Sequence, residues 1–169
     1  MEIAEIKLNN DNKDLMIQAV QEKGKNLELL SDRLQDDEEI VKIAVTQDGE
    51  ALEFASDRLK DNKEILVLAI KTAPWTICYA SDRLRADRDI IYESCKKYGQ
   101  ALYFASAELR DDREVVKAAI ENKGIIIKYA SRRLIDDKEL AQIAVKQNKQ
   151  AYHFISSRLK EDEDIKSLM

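Results

Sequence analysis

Very little in this sequence breaks a regular backbone: there are four glycines and one proline in 169 residues. With 36% of residues charged and 44% apolar, that scarcity suits helices with one wet face and one dry face. No apolar run approaches the roughly 18 residues of a membrane-spanning helix. The start of the chain, Met1 to Lys7, lacks the basic and apolar regions of a secretory signal. Cysteine is nearly missing too. Cys78 and Cys95 form no disulfide framework, so a reducing, cytoplasmic setting is expected. Positive charge is not in excess, and the net charge of −5 weighs against a nucleic-acid binder, whose phosphate contacts need clustered Lys and Arg. The single histidine, His153, has no ligand-spaced partners, so it gives neither a zinc site nor a base to activate a serine. No glycine-rich phosphate loop is present. We therefore expect no enzyme, no metal and no cofactor.

What is abundant is repetition. Ser31-Asp32-Arg33-Leu34 returns every 25 residues, at Ser56, Ser81, Ser106, Ser131 and Ser156, without a slip. A fixed period of that length marks a repeat architecture. The units run 11–35, 36–60, 61–85, 86–110, 111–135 and 136–160, with half-units at 1–10 and 161–169, in one continuous domain.

Each unit opens on an acidic or amide pair, such as Asp36-Asp37, Asp61-Asn62 or Asp136-Asp137, with a further acid two or three residues on. That is an N-cap followed by an acid that complements the helix dipole. Ile40, Val41, Ala44 and Val45 then draw one helical stripe, repeated at Ile65, Leu66, Ala69 and Ile70. Gly24, Gly49, Gly99 and Gly124 are expected to end this helix in the left-handed conformation, with Asn148 standing in before Lys149 and a different turn at Pro74. A second helix of about ten residues follows, with Leu52, Phe54, Ala55 and Leu59 on its dry face and the aromatic recurring at Tyr79, Phe104, Tyr129 and Phe154. Helices this short do not persist alone in water. Stacked pairs give an all-α fold, an α-solenoid of six helix-turn-helix repeats.

The recurring A-V-x-x-x-G-x-A-L-x-F/Y-A-S-x-R-L-x-D-D-x-E-I, clearest at Ala44 to Asp61 and at Ala119 to Asp136, resembles a tandem-repeat family catalogued only as a domain of unknown function. The resemblance covers essentially the whole chain and implies the helical-repeat fold. It implies no catalytic residue, because that family carries no known activity. Pro74, Trp75 and Glu108 depart from the pattern.

The serine column reads as a small residue between packed helices, its hydroxyl bonded to a carbonyl one turn back. The arginine column reads as a ladder to the capping acids. With these set aside, binding must be written in the columns that vary. The outward face of the second helix turns from acidic (Glu28, Asp32, Glu50, Glu53) through aromatic (Trp75, Tyr103) to basic (Arg110, Lys128, Arg132), and the first helix adds Tyr92 and Tyr98. Trp75, Arg85, Tyr92, Tyr98, Tyr103 and Arg110 are the candidate partner-binding residues, since hot spots favour Trp, Tyr and Arg. The expected function is a non-catalytic, monomeric scaffold that binds a protein or peptide, away from membranes. The alternatives are a single-stranded RNA reader and a purely structural segment of a larger assembly.

Overall fold

The structure is a computed structural model that describes all 169 residues. It is helical throughout, with no β-strand. The packing divides it into two compact units, Met1–Leu84 and Arg85–Met169, while the 25-residue period runs through the division unbroken. In the first unit the ten-residue helices Lys13–Glu22, Glu38–Gln47 and Lys63–Thr72 stack in sequence. In the second, Arg88–Lys97, Arg113–Asn122 and Lys138–Gln147 do the same. Each starts where the sequence places it, because Asn12, Asp37, Asn62, Asp87, Asp112 and Asp137 accept backbone N–H bonds from the first turn. The stripes close completely. Ile40, Val41, Ala44 and Val45, and likewise Ile65, Leu66 and Ala69, have no exposed surface.

The second helix of each repeat is not one helix. A 3₁₀ segment such as Gly49–Phe54 ends in two extended residues, Ala55 and Ser56, and a four-residue α-turn, Asp57–Lys60, follows. The serine is the reason. Its side chain accepts the N–H of the residue three ahead, as Ser56 does from Leu59 at 3.3 Å, so it starts a new helix in the middle of the expected one. It is half-buried, and its hydroxyl does not turn back to a carbonyl in the preceding turn.

The hydroxyl instead donates to the first carboxylate of its own repeat. Ser56 donates to Asp36, Arg58 donates Nε to the same Asp36 oxygen at 2.9 Å, and Arg58 Nη2 reaches the Asp36 carbonyl at 2.6 Å. Asp11, Asp61, Asp111 and Asp136 are held in the same way by Ser31 and Arg33, Ser81 and Arg83, Ser131 and Arg133, and Ser156 and Arg158. The acidic pair thus divides its work: the first member is clasped and the second caps the helix. Serine and then arginine hold the carboxyls of Asp36, Asp61, Asp111 and Asp136 below the ordinary aspartate range.

The glycines are also needed for a different reason from the one the sequence suggests. No residue has a positive φ, and Asn148, at φ −150°, is extended. A Cβ on Gly99 would instead lie 2.6 Å from the Ala119 carbonyl oxygen of the next helix, so close approach excludes a side chain. The Gly99 N–H donates to Asn122 Oδ1 at 2.9 Å, and Gly49 donates to Thr72 Oγ1 at the same distance. Pro74 opens its 3₁₀ segment, Pro74–Tyr79, where the glycines open theirs, so the turn is conserved in form; proline fits a first helical position. In the columns where copies have alanine and an amide or hydroxyl acceptor, the sequence reads Ser94 and Lys97.

Candidate binding face

The aromatic column does not lie in the core. Leu52 and Leu59 are fully buried, but Phe54, Tyr79, Phe104 and Tyr129 are half-buried and Phe154 is exposed. The interrupted backbone rotates this column toward the edge of the layer, next to the outward positions. A continuous second helix would instead place this column on the dry face, as the sequence suggests.

Of the six candidates, Trp75 belongs to the first unit and Arg85, Tyr92, Tyr98, Tyr103 and Arg110 to the second. Trp75 is exposed, and its indole N–H donates to Glu50 Oε1 at 3.1 Å. Glu50 is also paired with Lys25, which holds its carboxyl below the usual range, so one row ties three successive repeats of the first unit. Beside it, the Tyr79 hydroxyl donates to Glu53 at 3.0 Å. Burial and then the Glu53 charge push that phenol up to about 12. The first-unit face is therefore acidic and hydrogen-bonded, with one exposed indole.

In the second unit Tyr103 is 55% exposed, and its ring meets Phe104 edge-on at 5.0 Å and Tyr129 at 4.9 Å. Lys128 Nζ stands 4.8 Å from the centre of Tyr129 and 5.8 Å from that of Phe154. Tyr103, Tyr129 and Phe154, from three successive repeats, thus make an aromatic row with a cation over it. Arg110 lines a cleft at Tyr129. Tyr92 lies elsewhere, on the layer of ten-residue helices, between Arg88 at 5.9 Å and Lys96 at 5.5 Å. Tyr98 is half-buried at a helix end, where its carbonyl accepts the Ala101 N–H at 2.9 Å. The half-buried Arg85 likewise lends its carbonyl, to the Ser106 N–H at 3.1 Å. The structure therefore gathers Tyr103 and Arg110 with Tyr129 and Phe154, and places Tyr92 on another surface.

No group of three or more His, Cys, Asp or Glu side chains is placed to hold a metal ion, and no helix is long and apolar enough to cross a membrane. His153 is exposed, with its ring 6.3 Å from that of Tyr152. Cys95 is fully buried and its thiol is pushed up to about 12 by desolvation, whereas Cys78 is half-buried.

Stacked 25-residue units, clasped internally and varied on one face, define a helical-repeat protein. The chain belongs to the family described as Domain of unknown function (DUF4116), whose profile matches residues 12–60, 37–85, 62–110, 87–135 and 112–160. These overlapping windows step by the same 25 residues as the serines. No curated protein and no solved structure matches the chain.

Proposed function

We propose that this protein is a non-catalytic scaffold that binds a protein or peptide across the 3₁₀ segments of its repeats. One observation carries the reading. Apart from Ile3, Leu8 and Met169, the exposed large apolar side chains are Trp75, Tyr103 and Phe154: Trp75 and Phe154 stand on or directly beside 3₁₀ segments, and Tyr103 on the short α-turn Ala101–Phe104 that takes the same place in its repeat. The packing of the repeats gives no reason for Trp75 or Tyr103, since Lys25, Glu50, Gln100, Ile125 and Gln150 fill the Trp75 column, and Glu28, Glu53 and Lys128 the Tyr103 column; Phe154 keeps the repeating aromatic but is exposed where the earlier copies are half-buried. Exposed aromatics ringed by polar side chains are what partner hot spots use. Selection from a random peptide library displayed on phage tests this. Peptides captured by the wild type should escape a Tyr103→Ala/Phe154→Ala variant that melts normally; equal capture by both proteins, or no enrichment at all, would remove the reading.

A further inference from the structure

At least seven of the ten arginines donate to a carboxylate. Arg110 and Arg132 form no salt bridge, and Arg110 Nε is shielded from solvent with no acceptor. Arg132 is next in the chain to a residue of the cleft that Arg110 lines. Arg110 lines a cleft of about 230 Å³ with Ala107, Tyr129, Ala130 and Ser131, and Arg132 is the exposed residue that follows Ser131. The exposed Tyr103 ring packs on Tyr129 at the same place. Here too the repeat loses its own anion. Ala86 stands where the other copies carry the clasped aspartate, and Glu108 where they carry its arginine. In the first unit the positions matching Ala107, Arg132 and Ser157 are Asp32, Asp57 and Asp82, so a column that is acidic throughout the first unit carries no acid and one arginine in the second.

We propose that this cleft takes a carboxylate side chain of an acidic peptide, with Arg110 and Arg132 as its cations and Tyr103 as the seat for an apolar residue beside it. The proposal rests on the peptide-binding reading and adds the chemistry of the partner. A guanidinium without an acceptor matches a planar carboxylate through paired N–H bonds. A nucleic-acid backbone fits less well. The exposed Glu108 neighbours Arg110 closely enough to feel its charge, Asp111 follows it in the chain, and Arg110, Arg132 and Lys128 are too few cations for a run of phosphates.

The test is fluorescence anisotropy with a fluorescein-labelled peptide that alternates glutamate with leucine, beside the same peptide with lysine for glutamate, and a labelled oligouridylate. The glutamate peptide should bind, the lysine peptide should not, and Arg110→Gln/Arg132→Gln should weaken binding tenfold or more. Since neither arginine is ion-paired, the variant should melt as the wild type does; if it does not, Arg132→Gln alone, at an exposed site, should still weaken binding several-fold. No binding of the glutamate peptide, unchanged affinity in the variants, or preferential binding of oligouridylate would each overturn the inference. The phage selection keeps the two claims apart: peptides captured through Tyr103 and Phe154 without acidic residues would sink the carboxylate and leave the scaffold reading standing.

Discussion

The two units are built from one repeat and differ in what they do with their charges. Met1–Leu84 holds 18 acidic against 11 basic residues, a net of −7, and all three of its serines are clasped to an aspartate and an arginine. Arg85–Met169 holds 15 against 17, a net of +2, and the first of its repeating serines, Ser106, has lost both partners. Ser106 keeps its backbone bond to Arg85 and still caps Leu109, so the chain path survives without the clasp. Both the aspartate and the arginine are absent from this repeat, with Ala86 and Glu108 in their places. Losing only one would have left an unpaired charge against the backbone. In this repeat the two clasp positions depart together, whereas Trp75 and Tyr103 depart from their outward columns singly. Partner recognition has room to act only in the outward columns.

The largest expected contrast between the units is chemical. Cys95 lies on the buried stripe of the second unit with no exposed surface, and Cys78 stands half-buried on the 3₁₀ face of the first. A thiol that reacts only after unfolding is protected by the full stability of its surroundings. Cys95 should therefore label with a maleimide about a hundredfold or more slowly than Cys78 under native conditions. Equal rates would show that the second unit opens as readily as its surface residues.

A smaller effect asks whether the packing is the same in both units. Gly49→Ala and Gly99→Ala each drive a Cβ into a carbonyl of the next helix, at Ala69 and Ala119. Each should cost about 1–3 kcal/mol as overpacking, measured by urea unfolding. If one unit tolerated its alanine, the shared repeat would not mean shared packing.

The clasp gives a third comparison. Ser81→Ala removes a cap and a clasp, and should cost more than Ser106→Ala, which removes a cap worth about 1 kcal/mol and only a contact with the exposed Glu108. Rebuilding the set with Ala86→Asp/Glu108→Arg should stabilise the second unit beyond the sum of the single changes, since either residue alone lacks its partner. Acid separates the clasp from the cap. The clasped aspartates titrate below their unfolded range in the folded chain, so they bind fewer protons than the unfolded chain near pH 4. Their stabilisation is complete above the unfolded aspartate value of about 3.9, and is lost as pH falls through the lower folded values. Asp61→Asn/Arg83→Gln should flatten the loss of melting temperature on acidification. Coincident acid profiles for this variant and the wild type would show that the clasp is decorative.

The caps and the buried stripe are legible in the sequence because each is set by residues within about a turn of one another, and the period because its serine recurs every 25 residues without a slip. The break at each serine could not, although Ser-Asp before Arg-Leu is itself a capping pattern; the apolar residues on both sides hid it. The glycines misled because helix termination and close approach ask for the same residue, and only the Ala119 carbonyl distinguishes them. Tyr103 and Arg110 stood out as departures from their columns. Tyr129 and Phe154 did not, because they keep a repeating aromatic whose exposure is decided by the backbone break.

Trp75 should give the smallest change in stability and the sharpest test of which unit binds. Its indole is 44% exposed and hydrogen-bonded to Glu50, and Pro74 beside it keeps the turn of the other repeats, so it plugs no gap. Trp75→Ala should cost less than about 1.5 kcal/mol, against roughly 3–5 for a fully buried tryptophan. An acidic peptide is repelled from the Glu50 and Glu53 that surround Trp75 and drawn to the free cations of the second unit. Peptides selected on the wild type should then lose about 2 kcal/mol or more of affinity with Tyr103→Ala and nearly nothing with Trp75→Ala. If the order is reversed, the first unit carries the contact, the partner must present cations to Glu50 and Glu53, and the acidic-peptide assignment fails with the charge argument that produced it.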